Sequence, residues 1–403
     1  MRLLPFTVLC TTGFFAIFSS TISKSPVLPL FAAHLGADPS GIGLIASVSA
    51  FAGVAFSVPA GLLADRFGRK RLLAVSAIIF ASVPWGYLLV TTLWQLALIR
   101  FLHGFATAIF LPVAMAMVSD FSQHGRGEKM GWFSTATLLG RFLAPLAGAT
   151  IIGALAVTPG LGYHAVYIVC GLAGGCTLLL ALILPSDTST NRPPPWSEAL
   201  HHFKTVIAHH GILITSLVEA AILFAYGTFE TFLPLHALAH GLTAYEIGFC
   251  LAAQVITLAL AKPFMGRLSD HYGRRPQIAA GALFGSICIG LLGSATTFLP
   301  LLCMSIAFGM GLSLVTAATA SHIADLSHGQ ARGSAMGLLG SIMDIGHTTG
   351  PLVAGFLAGA WGYAAAFHGA AMVLLLATLL FVLAERNKRN AGVRDHTSEG
   401  MLR

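Results

Sequence analysis

The sequence predicts an all-α polytopic membrane protein with twelve transmembrane helices in two pseudo-symmetric six-helix bundles. Three observations carry that expectation. Hydrophobic residues fill 56% of the 403 positions, charged residues only 9%, and the mean hydropathy is +0.82, a composition foreign to soluble domains of this length. The apolar runs are each long enough for a hydrocarbon core that takes about 20 helical residues to cross. The second half of the chain also repeats the first: Gly61, Asp65, Gly68 and Arg69 return as Gly266, Asp270, Gly273 and Arg274, and 266 − 61 = 205 holds for every pair.

The repeat reaches five segments. Leu28-Pro29-Leu30 returns as Leu233-Pro234-Leu235, Gly104 as Gly309 and Asp120 as Asp325 at the same offset, while Ala144-Pro145 returns one residue later as Gly350-Pro351. Matches so dispersed indicate a tandem duplication, and parallel repeats of this size imply a transporter core with a pseudo-two-fold axis. Unpaired backbone groups cost several kcal/mol each in lipid, and no barrel-type alternation is present, so the spans must be helices.

In chain order, spans are expected at roughly 5–33, 41–64, 72–91, 95–119, 131–156 and 163–184, then 211–237, 244–267, 277–297, 299–324, 333–359 and 362–384. This gives a first bundle over 1–184, a linker over 185–210, a second bundle over 211–385 and a tail over 386–403. Met1-Arg2-Leu3-Leu4-Pro5 runs straight into the first span without a small-residue cleavage site, which reads as a first helix and not a removed signal peptide. Prolines inside spans (Pro26, Pro29, Pro84, Pro112, Pro145, Pro234, Pro351) are expected to mark bends and not ends. In the linker, Trp196, Leu200, Phe203, Val206 and Ile207 follow helical spacing after Pro193–Pro195, the pattern of a short interfacial amphipathic helix. His201, His202, His209 and His210 flank it without a completing Cys or carboxylate pattern, so no metal is assigned. The six cysteines all fall within spans and read as small buried hydrophobes.

The formal net charge of +7 is distributed by loop parity. Lys24, Arg100, Arg141 and Lys262 lie inside apolar runs; the other eighteen of the 22 Lys and Arg sit at the N-terminus, in loops of one parity or in the tail. Loops of the other parity, such as 34–41, 157–163 and 239–246, hold none. This is the positive-inside pattern, which predicts cytoplasmic termini and linker and argues against a nucleic-acid partner.

The pattern Gly61-Leu-Leu-Ala-Asp65-Arg66-Phe-Gly68-Arg69-Lys70 follows the second span, and a copy follows the eighth. It resembles the loop signature of the major facilitator superfamily. His271 replaces Arg66 and Arg275 replaces Lys70 in the copy, so the first copy is expected to carry more of the family role. Physically, Gly61 lets helices approach, Asp65 accepts from a helix N-terminus or pairs with an Arg, and the basic residues hold the headgroup side. A conformational latch is one reading; fixing topology alone is the other.

Arg100-Phe-Leu-His103-Gly104 in the fourth span resembles the basic signature of drug/proton antiporters in that superfamily. Its repeat-mate is Ser305, so the charge is not a scaffold requirement, and an embedded Arg should face a cavity or a carboxylate. In the fifth span, Gly140-Arg141-Phe-Leu-Ala144-Pro145-Leu-Ala-Gly148-Ala149 approximates the antiporter pattern of small residues around a Gly-Pro; the copy Gly346-His347-Thr-Thr-Gly350-Pro351 lies in the eleventh span, where small residues also serve helix packing. Three embedded carboxylates, Glu219, Glu230 and Asp344, are candidate proton carriers or static partners for the cations. Glu219 and Glu230 are about three helical turns apart and can face one side. All three lie in the second half, whereas Lys24, Arg100 and Arg141 lie in the first, and the repeat register sets Glu230 level with Ser25, beside Lys24.

The resemblance implies a secondary transporter of the cell membrane that exchanges protons for small amphiphilic, drug-like compounds and acts as a monomer. Its partners are then a small-molecule substrate, protons and the lipid bilayer, with no cofactor. Lys24 and Arg141 also suit an anionic substrate, which keeps a proton-coupled organic-anion or metabolite carrier open, in export or uptake. A non-transporting sensor or scaffold is the reading of another class. No Gly-x-x-x-x-Gly-Lys-Ser/Thr loop or nucleophile–base motif stands out, so an enzyme is not expected and energy comes from a gradient.

Overall fold

A computed structural model describes residues 3–120, 126–185, 209–327 and 331–400. The first half comprises α1 (Leu3–Ile22), α2 (Val27–His34), α3 (Pro39–Phe67), α4 (Arg69–Gly86), a 3-10 turn (Tyr87–Leu89), α5 (Leu93–Asp120), α6 (Arg126–Ala154) and α7 (Pro159–Ile183). The second comprises α8 (His210–Ala239), α9 (Ala244–Tyr272), α10 (Arg274–Leu292), α11 (Phe298–Leu326), α12 (Ala331–Trp361) and α13 (Tyr363–Gly400). With α1 and α2 counted as one interrupted span, these are the twelve expected crossings. Eleven meet the length and hydropathy of a crossing segment; α12 is long enough but carries Asp344, His347, Thr348 and Thr349. The amphipathic helix expected in the linker lies outside the described residues, as do His201 and His202, while His209 caps α8 by accepting from Ile212 N at 3.3 Å.

The duplication is visible in backbone detail. Asp38 and Thr243, 205 residues apart, cap α3 and α9 through side-chain oxygens that accept from Gly41 N and Glu246 N. The turns Gly36/Gly241 and Gly68/Gly273 are repeat pairs too, with φ of 85°/80° and 96°/92°, a region that glycine adopts without strain. Packing follows the same symmetry: α1 lies on α6 and α7 as α8 lies on α12 and α13, and α3 lies on α5 as α9 lies on α11.

The prolines divide. Pro59, Pro84, Pro112, Pro145, Pro234, Pro263 and Pro351 sit inside helices. Pro26 does not: α1 stops at Ile22 and α2 starts at Val27 with Pro26 at its N-cap, so here the expected bend is an end. The missing N–H and ring clash of proline remove the hydrogen bond that would continue α1.

The halves meet along α3–α12 and α6–α9. Glycines record where the contact is closest: a Cβ at Gly355 would fall 2.7 Å from Pro39 O, one at Gly359 3.0 Å from Ser40 Oγ, and one at Gly153 2.6 Å from the Tyr245 ring. All belong to the end that carries Asp38 and Thr243. Toward the opposite, basic end, Gly131, Gly266 and Gly340 meet nothing within 4 Å. The hydrophobic core divides in the same way. One cluster joins both halves through Phe31, Ile42, Phe229 and Ala358, and it gives way to separate clusters in the first half (Leu9, Leu73, Phe110) and the second (Ile212, Ile323, Leu339). Among the described residues, the bundles are thus packed most closely at the Asp38 end, and toward the basic end the core clusters separate by half.

Candidate functional site

At the apex of the cleft, the break between α1 and α2 turns Lys24 toward the second half. Its Nζ lies 2.7 Å from Glu230 Oε2 on α8, with the two side chains 18% and 9% exposed. His347 on α12 completes the cluster, its Nε2 3.2 Å from the same carboxylate oxygen and 3.2 Å from Lys24 Nζ. Nε2 either donates to Glu230 or accepts from Lys24, so one proton decides which partner it serves. Tyr226, one turn before Glu230, stacks on the imidazole at a centroid distance of 5.4 Å.

Small residues put these groups in place. Gly346 and Gly350 bring α12 onto the backbone of α8 at Ala220 and Phe224, and Gly227 returns the contact, since a Cβ there would fall 2.9 Å from both His347 O and Pro351 Cδ. The close approach sets the imidazole beside Glu230. In the first half, a Cβ at Gly140 would fall 2.6 Å from Phe14 O on α1, Gly148 packs against Val27, Ile22 and Pro26 at the break, and a Cβ at Gly248 of α9 would fall 3.1 Å from Pro145 O.

The remaining embedded groups separate. Arg141 is exposed within electrostatic reach of Lys24 and His347. Asp344 is part-buried, with its carboxylate 3.5 Å from where a Cβ at Gly53 of α3 would lie. Arg100 differs from expectation: it is 3% exposed, and among the described residues it pairs with hydroxyls and not with a carboxylate, namely Ser23 Oγ at 3.0 Å, Tyr87 Oη at 3.3 Å and Ser49 Oγ at 2.9 Å. His103 is buried beside it, with Nδ1 3.5 Å from Tyr87 Oη. Glu219 does not share a site with Glu230. It is buried against α11, where Thr319 Oγ1 donates to it at 2.5 Å, within electrostatic reach of the exposed Lys262.

The repeated loop motif ends α3 in the first half and α9 in the second. In the first, Gly61 sits in α3 and the side chain of Asp65 lies outside the described residues. Arg66 lies over the Phe67 ring at 5.7 Å, and Arg69 Nη1 donates to Ala116 O at 3.0 Å. In the second, Arg274 is held by Asp270, by Ser269 Oγ at 3.1 Å and by Asp325 at 3.1 Å, and Arg275 reaches Glu385 at 2.8 Å. The close approach expected at this glycine is absent at Gly266, which has open space around it.

His347, Tyr226, Ser23, Ser49 and Tyr87 were not among the candidates from sequence. A signal for His347 exists, since it is the repeat-mate of Arg141 one residue out of register, a polar residue behind the first glycine in both copies.

Comparison with known proteins agrees with this architecture. The family model for the Major Facilitator Superfamily matches residues 9–253 and 216–400. An uncharacterised MFS-type transporter of Methanocaldococcus jannaschii is 26% identical over 384 residues, covering 94% of this chain and 95% of its own. The quinolone resistance protein NorA of Staphylococcus aureus is 22% identical, with 85% and 87% covered, and a homologue of the multi-drug resistance efflux pump PmrA from Lactococcus lactis is 24% identical, with 90% and 91% covered. Among solved structures, a bacterial homologue of the human lysosomal transporter Spinster superposes with a TM-score of 0.79 at 18% identity, covering 96% of each chain. The nucleoside transporter NupG superposes with 0.77 at 16% identity, covering 95% and 98%. With two bundles of six helices related by a 205-residue repeat, a cleft between them and a family match along nearly the whole chain, the protein belongs to the Major Facilitator Superfamily of transporters.

Proposed function

We propose that this transporter is a proton-coupled exporter of small amphiphilic, drug-like compounds in the cytoplasmic membrane. The observation that carries the reading is the Lys24–Glu230–His347 cluster, which ties the break of the first span to two helices of the opposite half at the closed end of the cleft. While Glu230 is ionised, the pair holds the halves together at that level. Protonation removes the counter-charge of a cation with little access to water, which favours the halves parting there. Substrate binding and proton release then alternate with the two arrangements. Similarity to NorA and PmrA over most of the chain supports the compound class. The test is flux of labelled amphiphiles in proteoliposomes under an imposed pH gradient. Glu230→Gln is expected to bind substrate yet lose the dependence of flux on the gradient, and gradient-driven accumulation in that variant would overturn the assignment of Glu230; Glu219 and Asp344 are then the next carriers to test.

Arg141 and Lys24 support a second reading, a carrier of organic anions or metabolites, which the same assay separates by solute class. The basic end is assigned to the cytoplasm, with both termini on that side. Cysteines introduced at Asn191 and Asn387 should then be labelled only from the cytoplasmic face, and one at Asp38 only from outside. We assign one cleft to one chain, so that a monomer is the working unit, with bundles over 1–184 and 211–385.

A further inference from the structure

Arg100 is a cation buried in the first bundle, and among the described residues no carboxylate touches it. A guanidinium has five N–H donors. Nη1 gives two, to Ser23 and Tyr87, and Nη2 gives one, to Ser49. Among the described residues Nε–H has no acceptor, and Nη2, with one bond to Ser49, keeps a second hydrogen. Nε and Nη2 share the edge of the guanidinium that a carboxylate takes with two parallel hydrogen bonds. Two further buried groups in the cluster are unpartnered: His103 Nε2 and Tyr167 Oη, on side chains 1% and 0% exposed. Tyr87 connects them, its hydroxyl next to His103 Nδ1 and its ring stacked on Tyr167 at 4.0 Å. With His103 accepting from Tyr87 at Nδ1, Nε2 is a donor. The cluster thus has spare donors and too few acceptors.

The charge around it has the same sign. Arg100 and Arg141 each lie within electrostatic reach of Lys24, and the described embedded carboxylates that reach Lys24 are Glu230, which it engages, and Asp344. Among the described residues, these three cations against two carboxylates leave one positive charge while His347 is neutral. A buried charge left unpaired is strongly unfavourable, and acceptor-only ligands are what these donors need. Ser49 is part-buried on α3, and Lys24 stands next in sequence to Ser23, so the cluster adjoins the cleft.

We propose that Arg100, with its Ser23, Ser49, Tyr87, His103 and Tyr167 surroundings, is a binding site for a small monovalent anion, taken either as a free ion such as chloride or as the carboxylate of a transported solute. The site is read by binding, so it stands or falls separately from proton coupling and from the direction of transport.

The experiment titrates the purified full-length protein with sodium chloride or sodium benzoate against sodium gluconate at constant ionic strength, and follows the thermal midpoint. A saturable upward shift of a few degrees is expected with at least one of the two anions, and Arg100→Gln should abolish it. A response to chloride assigns the site to the free ion; a response to benzoate alone assigns it to a solute carboxylate. Tyr167→Phe, which removes one donor and leaves the guanidinium, should weaken the response about fivefold in Kd. No saturable shift with either anion, or a shift that Arg100→Gln leaves intact, overturns the proposal. Should Arg100→Gln fail to fold, crystals of the unaltered protein grown in bromide decide the matter. Anomalous density at the Nε edge of Arg100 is expected, and density confined to Arg141 or Lys24 would be fatal to it.

Discussion

The first span of each half occupies the same place in the repeat and solves it differently. Ser23-Lys24-Ser25-Pro26 interrupts a helix, whereas Thr228-Phe229-Glu230-Thr231 continues one, with Thr228 Oγ1 donating back to Phe224 O at 3.0 Å. Proline at the fourth position breaks the first copy; threonine keeps the second intact. A duplicated scaffold has thus set a base on a turn and an acid on a rigid rod at one level. The rod is the better supported of the two, because α12 packs its glycines directly onto α8 beneath Glu230. The break is the adjustable side of the pair.

The largest expected effect probes the rod. A Cβ at Gly350 meets the backbone of Phe224, with Cα and C both at 3.0 Å and O closer. Leucine there cannot be absorbed by a rotamer change, so Gly350→Leu should cost more than about 3 kcal/mol and yield little folded protein in detergent chromatography. Gly140→Leu, which faces Phe14 O on the interrupted side, should be milder, because α1 ends eight residues later and can shift. Gly266→Ala, in open space, should stay within about 0.5 kcal/mol of the parent. If Gly140→Leu proves as damaging as Gly350→Leu, the contrast between a rigid and an adjustable side is wrong.

The next effect probes the pair itself. Removing one partner of a poorly solvated ion pair leaves a charge uncompensated, and Lys24→Met or Glu230→Gln should each cost about 2–4 kcal/mol, at or below the usual range because the cleft admits water. The double variant should cost less than the sum, with a coupling of roughly 1–3 kcal/mol in a cycle of thermal midpoints. Additive costs would mean that the two side chains act independently of each other.

Much of this was legible in the sequence. The spans, the duplication and the level at which Lys24 and Glu230 meet follow from apolar run length, a fixed offset and loop charge. What escaped has physical reasons. Pro26 and Pro234 are the same residue type in related spans, yet one ends a helix and the other does not, since the outcome depends on whether neighbours re-satisfy the freed backbone. Glu219 and Glu230 share an azimuth on an ideal helix but stand about 16 Å apart along it, and crossing helices change the neighbour over that distance: α11 at one level, α12 at the other. Arg100 announces a charge; the hydroxyls that hold it come from three other segments, which periodicity along one helix does not reveal.

The smallest expected effect concerns the two loop motifs. Arg274 is held by Asp270 and Asp325, whose side chains are 66% and 56% exposed. Exposed ion pairs contribute about 1 kcal/mol or less and weaken in salt. Asp270→Asn and Asp325→Asn should therefore each shift stability by no more than about 1 kcal/mol, with the shift fading as ionic strength rises. If the motif is a latch, its charge matters to the conformational equilibrium more than to folding: Asp65→Asn should lower turnover in proteoliposomes while leaving insertion near normal, and Asp270→Asn should lower it less. Arg274 retains Asp325 and Ser269 when Asp270 is neutralised, so its anchor survives in part. Unchanged turnover in Asp65→Asn would reduce the first copy to a topology signal, and a larger loss in Asp270→Asn than in Asp65→Asn would transfer the latch to the second half.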